Sequence, residues 1–132
     1  MSWDAAKVTL TGLAQLSETT NVDADYVAAN HYSQWVVLTP GESAHLQMEV
    51  TFAATGSDVA WRIVGTLDDS AQVADNLPFQ SGTIGFPGSA GAVRRSIIVS
   101  GPYSFRVEFR KYGTTTGNYT PVVTMRTNGI SA

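Results

Sequence analysis

The sequence predicts an all-β chain folded as a single-domain antiparallel β-sandwich, jelly-roll-like or Greek-key, of about seven or eight strands. Three observations predict it. Apolar and polar residues alternate with period two in several stretches. Turn-forming Gly, Pro, Asn, Asp and Ser clusters interrupt those stretches every ten residues or so. No alternation of helical and strand patterns, and no break in composition, marks a second domain in the 132 residues.

Residues 1–33 read as an N-terminal segment or arm and residues 34–132 as the sandwich, one domain overall. In the arm, Lys7 to Leu10 is compatible with an edge strand, and Leu13, Ala14 and Leu16 with one helical turn. Thr19 to Asp25 reads as loop, because its side chains bond their own backbone readily. Gln34 to Leu38 and Ser43 to Phe52 then form a hairpin across Thr39-Pro40-Gly41. The second of these has Leu46, Met48, Val50 and Phe52 on one face and His45, Gln47, Glu49 and Thr51 on the other.

Val59 to Leu67 alternates again, with Val59, Trp61 and Ile63 facing inward. Residues 68–78 read as loop. Gly82, Gly85, Gly88 and Gly91 recur every third residue, too briefly for a collagen helix and without the Gly-Lys-Ser/Thr of a phosphate loop, so a mobile or tightly turned loop is expected. Arg95 to Ser100 is a short buried strand. Tyr103, Phe105, Val107 and Phe109 alternate with Ser104, Arg106, Glu108 and Arg110. Gly113 to Asn118 is loop, Tyr119 to Arg126 the last strand, and Asn128-Gly129 a turn dipeptide. This register buries Phe105, whose replacement by Ala costs about 3–5 kcal/mol. It leaves Arg106 on the wet face, where truncation costs little.

Composition excludes several function classes. With 8 basic and 11 acidic residues the net charge is −3, which gives no basic excess for general nucleic-acid binding. The absence of cysteine removes disulfides, zinc–thiolate sites and thiol catalysis. No stretch is apolar enough for a membrane helix, and the start lacks the pattern of a secretory signal. Folding in a cytoplasm is expected.

Candidate chemistry is sparse. His45 shares its polar face with Gln47 and Glu49 and reads as solvated, and His31 has no visible partner. Asn21, Asp23 and Asp25 copy the opening of a calcium loop, but Tyr26 and Tyr32 stand where that loop needs Gly and Glu. Asp68, Asp69 and Asp75 read as a solvated acidic loop. No Gly-x-Ser-x-Gly elbow occurs, and a sequon at Asn118 has no secretory context. No enzyme, metal or cofactor is expected. Trp61, Phe105 and Phe109 are core by alternation, whereas Trp3, Tyr26, Tyr32 and Tyr112 are not, and are candidate interface aromatics.

Four stretches carry a resemblance. They are Leu38 to Phe52, with Gly41-Glu42 before an alternating strand; Trp61 to Asp69, containing Gly65-Thr66-Leu67-Asp68; Ser100 to Thr114, containing Tyr103-Ser104-Phe105-Arg106-Val107; and Thr124 to Ser131. Together they resemble small structural proteins of tailed bacteriophages over residues 34–131. The resemblance implies a capsid decoration (cement) protein in the virion, on the capsid exterior and made in the host cytoplasm. Its partners would be the major capsid protein and copies of itself in a trimer, with no nucleic acid and no membrane. A tail or fibre module touching the host surface and a carbohydrate-binding β-sandwich module are the alternatives. Residues 1–33 and the Gly82–Gly91 stretch lie outside the resemblance.

Overall fold

In a computed structural model, the described residues are 7–18, 26, 30–39, 41–66, 77–100, 104–111 and 117–128. They form two antiparallel sheets packed face to face. The first contains β1 (Val8–Thr9), β2 (Leu16–Glu18), β4 (Ser43–Phe52), β7 (Gly91–Ser100) and β9 (Gly117–Asn128). The second contains β3 (Val36–Val37), β5 (Val59–Thr66), β6 (Leu77–Ile84) and β8 (Ser104–Lys111). Their orders are β1-β9-β4-β7, with β2 also on β9, and β3-β8-β5-β6. With β1 and β2 counted as one interrupted strand, this is an eight-stranded jelly roll.

Strand alternation predicts the inner faces well. Leu46, Met48, Val50 and Phe52 of β4 meet Phe105, Val107 and Phe109 of β8 and Trp61 and Ile63 of β5 in one core. Trp61 lies across the ladder from Gly82, where a Cβ would sit 2.8 Å from the indole ring. Gly82 is thus a strand residue that makes room for an aromatic. Gly91 likewise opens β7, so the expected glycine loop shrinks to residues 85–90. That turn is pinned by Phe86, whose amide donates to Asp58 Oδ1 at 2.9 Å and whose ring meets Phe52 edge-on at 5.5 Å.

The expected hairpin between residues 34–38 and 43–52 does not form. β3 pairs with β8, and β4 with β7 and β9. The 39–42 turn, closed by Glu42 N–H to Thr39 O and Thr39 N–H to Glu42 Oε1, carries the chain from one sheet to the other. A turn signal reports a reversal, not the partner that follows it. The expected helical turn at Leu13–Leu16 is also corrected, since Leu16 pairs with Tyr119 in β2. The edge strand expected at Lys7 to Leu10 is present as β1. Asn128 is a strand residue whose Oδ1 accepts the Ser43 N–H at 2.6 Å. The Thr19–Asp25 stretch and Asp68, Asp69 and Asp75 lie outside the described residues.

Pro121 explains the broken first strand. Val123 O accepts from Leu10 N–H, so the backbone groups of residues 119, 121 and 123 point toward β1 and β2. Pro121 has no N–H to offer there. The first strand leaves β9 at this point, and residues 11–14 bond to residues 30–34 instead, through Gln34 N–H to Thr11 O and Ala14 N–H to Asn30 O. Gly12 turns this excursion with φ 98°, and a Cβ there would stand 2.7 Å from Tyr32 O.

The outer faces of the two sheets differ. On the second sheet, Ala60, Val64, Thr66, Ser104, Arg106 and Glu108 point away from the core and are nevertheless buried. Arg106, expected on a wet face, is 4% exposed. Its Nε donates to Glu108 Oε2 at 2.7 Å, and Arg62 Nε on the neighbouring strand donates to Glu108 Oε1 at 2.6 Å. Rings from the N-terminal part of the chain close over these guanidiniums. Tyr26 lies 4.1 Å from Arg62 and 5.0 Å from Arg110, and Tyr32 4.0 Å from Arg106 with Trp35 at 5.2 Å. His31 and Ser33 continue the layer. Ser33 N–H donates to Val107 O, Phe109 N–H to His31 O, and the His31 ring Nδ1 meets Phe109 O at 3.0 Å.

Three stability measurements follow from this packing. Urea unfolding of Phe105→Ala shows a loss of about 3–5 kcal/mol from the core cavity. Glu108→Gln loses a comparable amount, about 3–5 kcal/mol, because buried Arg106 and half-buried Arg62 lose their counter-charge. Gly12→Ala loses at least about 1 kcal/mol through positive φ and the close carbonyl. A Glu108→Gln midpoint equal to that of the parent would show that the second sheet's outer face is not sealed in solution.

Candidate functional site

The outer face of the first sheet is the open one. Strand alternation points His45, Gln47, Glu49 and Thr51 of β4 outward, with Ile98, Ser96, Arg94 and Ala92 of β7 on one side and Arg126, Thr124, Val122 and Thr120 of β9 on the other. Thr9 lies opposite Thr124 and Val8 opposite Met125, so the same register sets Lys7 opposite Arg126.

Successive rows therefore run across the sheet. One reads Lys7, Arg126, His45, Ile98, and the next Thr9, Thr124, Gln47, Ser96. In the third, Glu49 accepts from Arg94 Nε at 2.5 Å beside Val122. The first two rows line a shallow open pocket of about 260 Å³, formed by Lys7, His45, Gln47, Ser96, Thr124, Met125 and Arg126. None of these seven is acidic. The buried strand expected at Arg95 to Ser100 is instead the exposed end of edge strand β7, in which Val99 alone is buried, and Ile98, 56% exposed, extends the row holding His45 as an apolar shoulder.

The edge next to this face is guarded. β7 is an edge strand of ten residues, and such a row of unpaired backbone groups invites another strand. Two of its carbonyls are occupied from within the chain. Gln80 Nε2 donates to Ile98 O at 3.2 Å, and the Arg95 guanidinium to Arg94 O at 2.9 Å. The sheet face is thus the more available surface.

The sequence-derived candidates fall elsewhere. Tyr26 is 6% exposed and Tyr32 half-buried, both as ring partners of arginines inside the chain; Tyr26 as a partner-facing aromatic is corrected. Trp3 and Tyr112 lie outside the described residues, as do Asn21, Asp23 and Asp25. His31 is buried against the β8 backbone. Among the described residues no cluster of three His, Cys, Asp or Glu side chains could hold a metal, and no helix is long and apolar enough to cross a membrane. His45 and Gln47 were legible as wet-face residues from alternation. Lys7, Thr124 and Arg126 were not legible as their neighbours, because strand order is not written in any one segment.

No protein-family model matches the chain, and no curated protein matches it. Among solved structures it is similar to a CBM4 carbohydrate-binding module, with 14% identity, a TM-score of 0.43 and 70% of this chain covered. It is also similar to VP2 of the infectious bursal disease virus subviral particle, with 10% identity, a TM-score of 0.40 and 94% of this chain covered. The chain spans 56% of the length of the former and 32% of the latter. Likeness at this level carries no functional argument.

The contrast between the two outer faces is measurable. Arg126→Ala and Ile98→Ser on the open face shift the unfolding free energy by no more than about 0.5 kcal/mol, while Arg106→Ala on the sealed face costs several times as much by the same urea assay.

Proposed function

We propose that the chain is a structural virion protein of the decoration type, which binds the outer surface of a tailed-phage capsid through the open face of its five-stranded sheet. The asymmetry of the two sheets carries this reading. One outer face is closed by the chain's own aromatic residues, and the other keeps a mixed polar, cationic and apolar surface on a rigid jelly roll. The resemblance of residues 34–131 to small phage structural proteins supplies the capsid as partner. On this reading the protein is a binding component and not an enzyme.

The size of the face bears on oligomeric state. Ten residues of strand by four strand positions cover about 33 by 19 Å, roughly 600 Å². A specific contact buries about 800 Å² per partner. One face alone is therefore marginal, and a closed trimer presenting three such faces would gain affinity through avidity.

Quantitative mass spectrometry of purified virions tests the proposal. A decoration protein is present in amounts comparable to the major capsid protein. An amount comparable to tail proteins would move the chain to the tail. Absence from particles, together with binding on a glycan array, would make it a carbohydrate-binding module instead.

A further inference from the structure

The row Lys7, Arg126, His45 sets two permanent cations side by side on neighbouring strands with an imidazole next to them. Like charges directly opposite in a ladder are destabilising, and in a chain of net charge −3 such a row does not arise from general excess of base. Elsewhere on this face the charges are paired, since Arg94 has Glu49. Among the described residues neither Lys7 nor Arg126 has an acidic partner. Around them Gln47, Ser96 and Thr124 bring hydrogen-bonding groups into the same pocket, and exposed Ile98 stands at the end of the row as an apolar shoulder.

We infer that this pocket is an anion site that receives a carboxylate side chain from an acidic polypeptide segment of the surface the protein covers, an inference that rests on the docking-face reading above. The Arg126 guanidinium offers a planar fork to a carboxylate. Lys7 adds a second positive charge, and the amide of Gln47 and the hydroxyls of Ser96 and Thr124 can satisfy the remaining lone pairs. A polypeptide fits better than an acidic sugar because no aromatic ring lines the pocket for a sugar to stack on, whereas the Ile98 shoulder suits the aliphatic part of a side chain next to the acid.

The test uses the full chain, isotopically labelled, titrated with a hexaglutamate peptide at low salt and followed by amide chemical shifts. The expected result is saturable movement of the His45, Gln47, Ser96 and Thr124 resonances. The exposed double variant Lys7→Gln/Arg126→Gln, checked for an unchanged circular dichroism spectrum, weakens binding at least tenfold. About 0.5 M salt does the same, because the screening length then falls to a few ångströms. No movement of those resonances, equal binding of hexaglutamine, or affinity unchanged in the double variant overturns the site. Tighter binding of an oligoglucuronate than of hexaglutamate overturns the polypeptide as its ligand. Capsid reconstitution separates the two readings. A double variant that has lost hexaglutamate binding yet still coats particles sinks the link to docking while leaving decoration intact. Hexaglutamate binding by a protein absent from virions retains the site and sinks decoration.

Discussion

Glu108 sits on the outward side of a strand with no exposure to solvent, held between Arg62 on β5 and Arg106 on β8. A lone buried carboxylate would be prohibitively costly, and so would two lone guanidiniums. Together they leave a residual positive charge, and the rings of Tyr26, Tyr32 and Trp35 lie against it. Cation–π contact is worth more when desolvated, so the ion cluster and its aromatic cover depend on each other. That interdependence turns an amphipathic strand pattern into a three-layer arrangement on one side of the sandwich. It also decides which surface the molecule has left to offer.

The remaining surface is assembled from distant parts of the chain. In a jelly roll the first and last strands lie side by side, which brings Lys7 next to Arg126, and Arg126 in turn lies next to His45. Pro121 breaks the first strand beyond Leu10, and the excursion through Gly12 ties residues 11–14 to residues 30–34. One proline thus separates a short strand carrying Lys7 to the open face from a segment anchored toward the sealed side. The two faces are linked through this crossing, because the backbone at Tyr32 that packs against Gly12 belongs to the residue whose ring covers Arg106.

The aromatic residues show where local reasoning misleads. Tyr26 and Tyr32 have no place in any alternating strand, and a residue without a core position reads as a surface contact. Tyr26 is buried against Arg62 and Arg110, and half-buried Tyr32 lies on Arg106, all from strands far away in sequence. Arg106 misleads for the mirror-image reason. Its position opposite the core side is correct, but pointing away from the core is the same as facing water only if nothing else lies on that side.

Alternation, turn chemistry and glycine or proline placement are properties of a few consecutive residues, because side-chain direction along a strand depends only on backbone pleat. They sufficed for an all-β sandwich, for the whole of Ser43–Phe52, and for the inward Trp61, Phe105 and Phe109. Strand partners, the crossing at residues 39–42 and the sealing of one face depend on which segments meet after the chain closes on itself. No segment encodes its neighbour by pattern alone, since every half-buried strand offers the same face to many others. The pocket of Lys7, His45 and Arg126 belongs to that second class. It exists only where four strand positions, those of β1, β9, β4 and β7, come together, so it emerged from the fold and not from any motif.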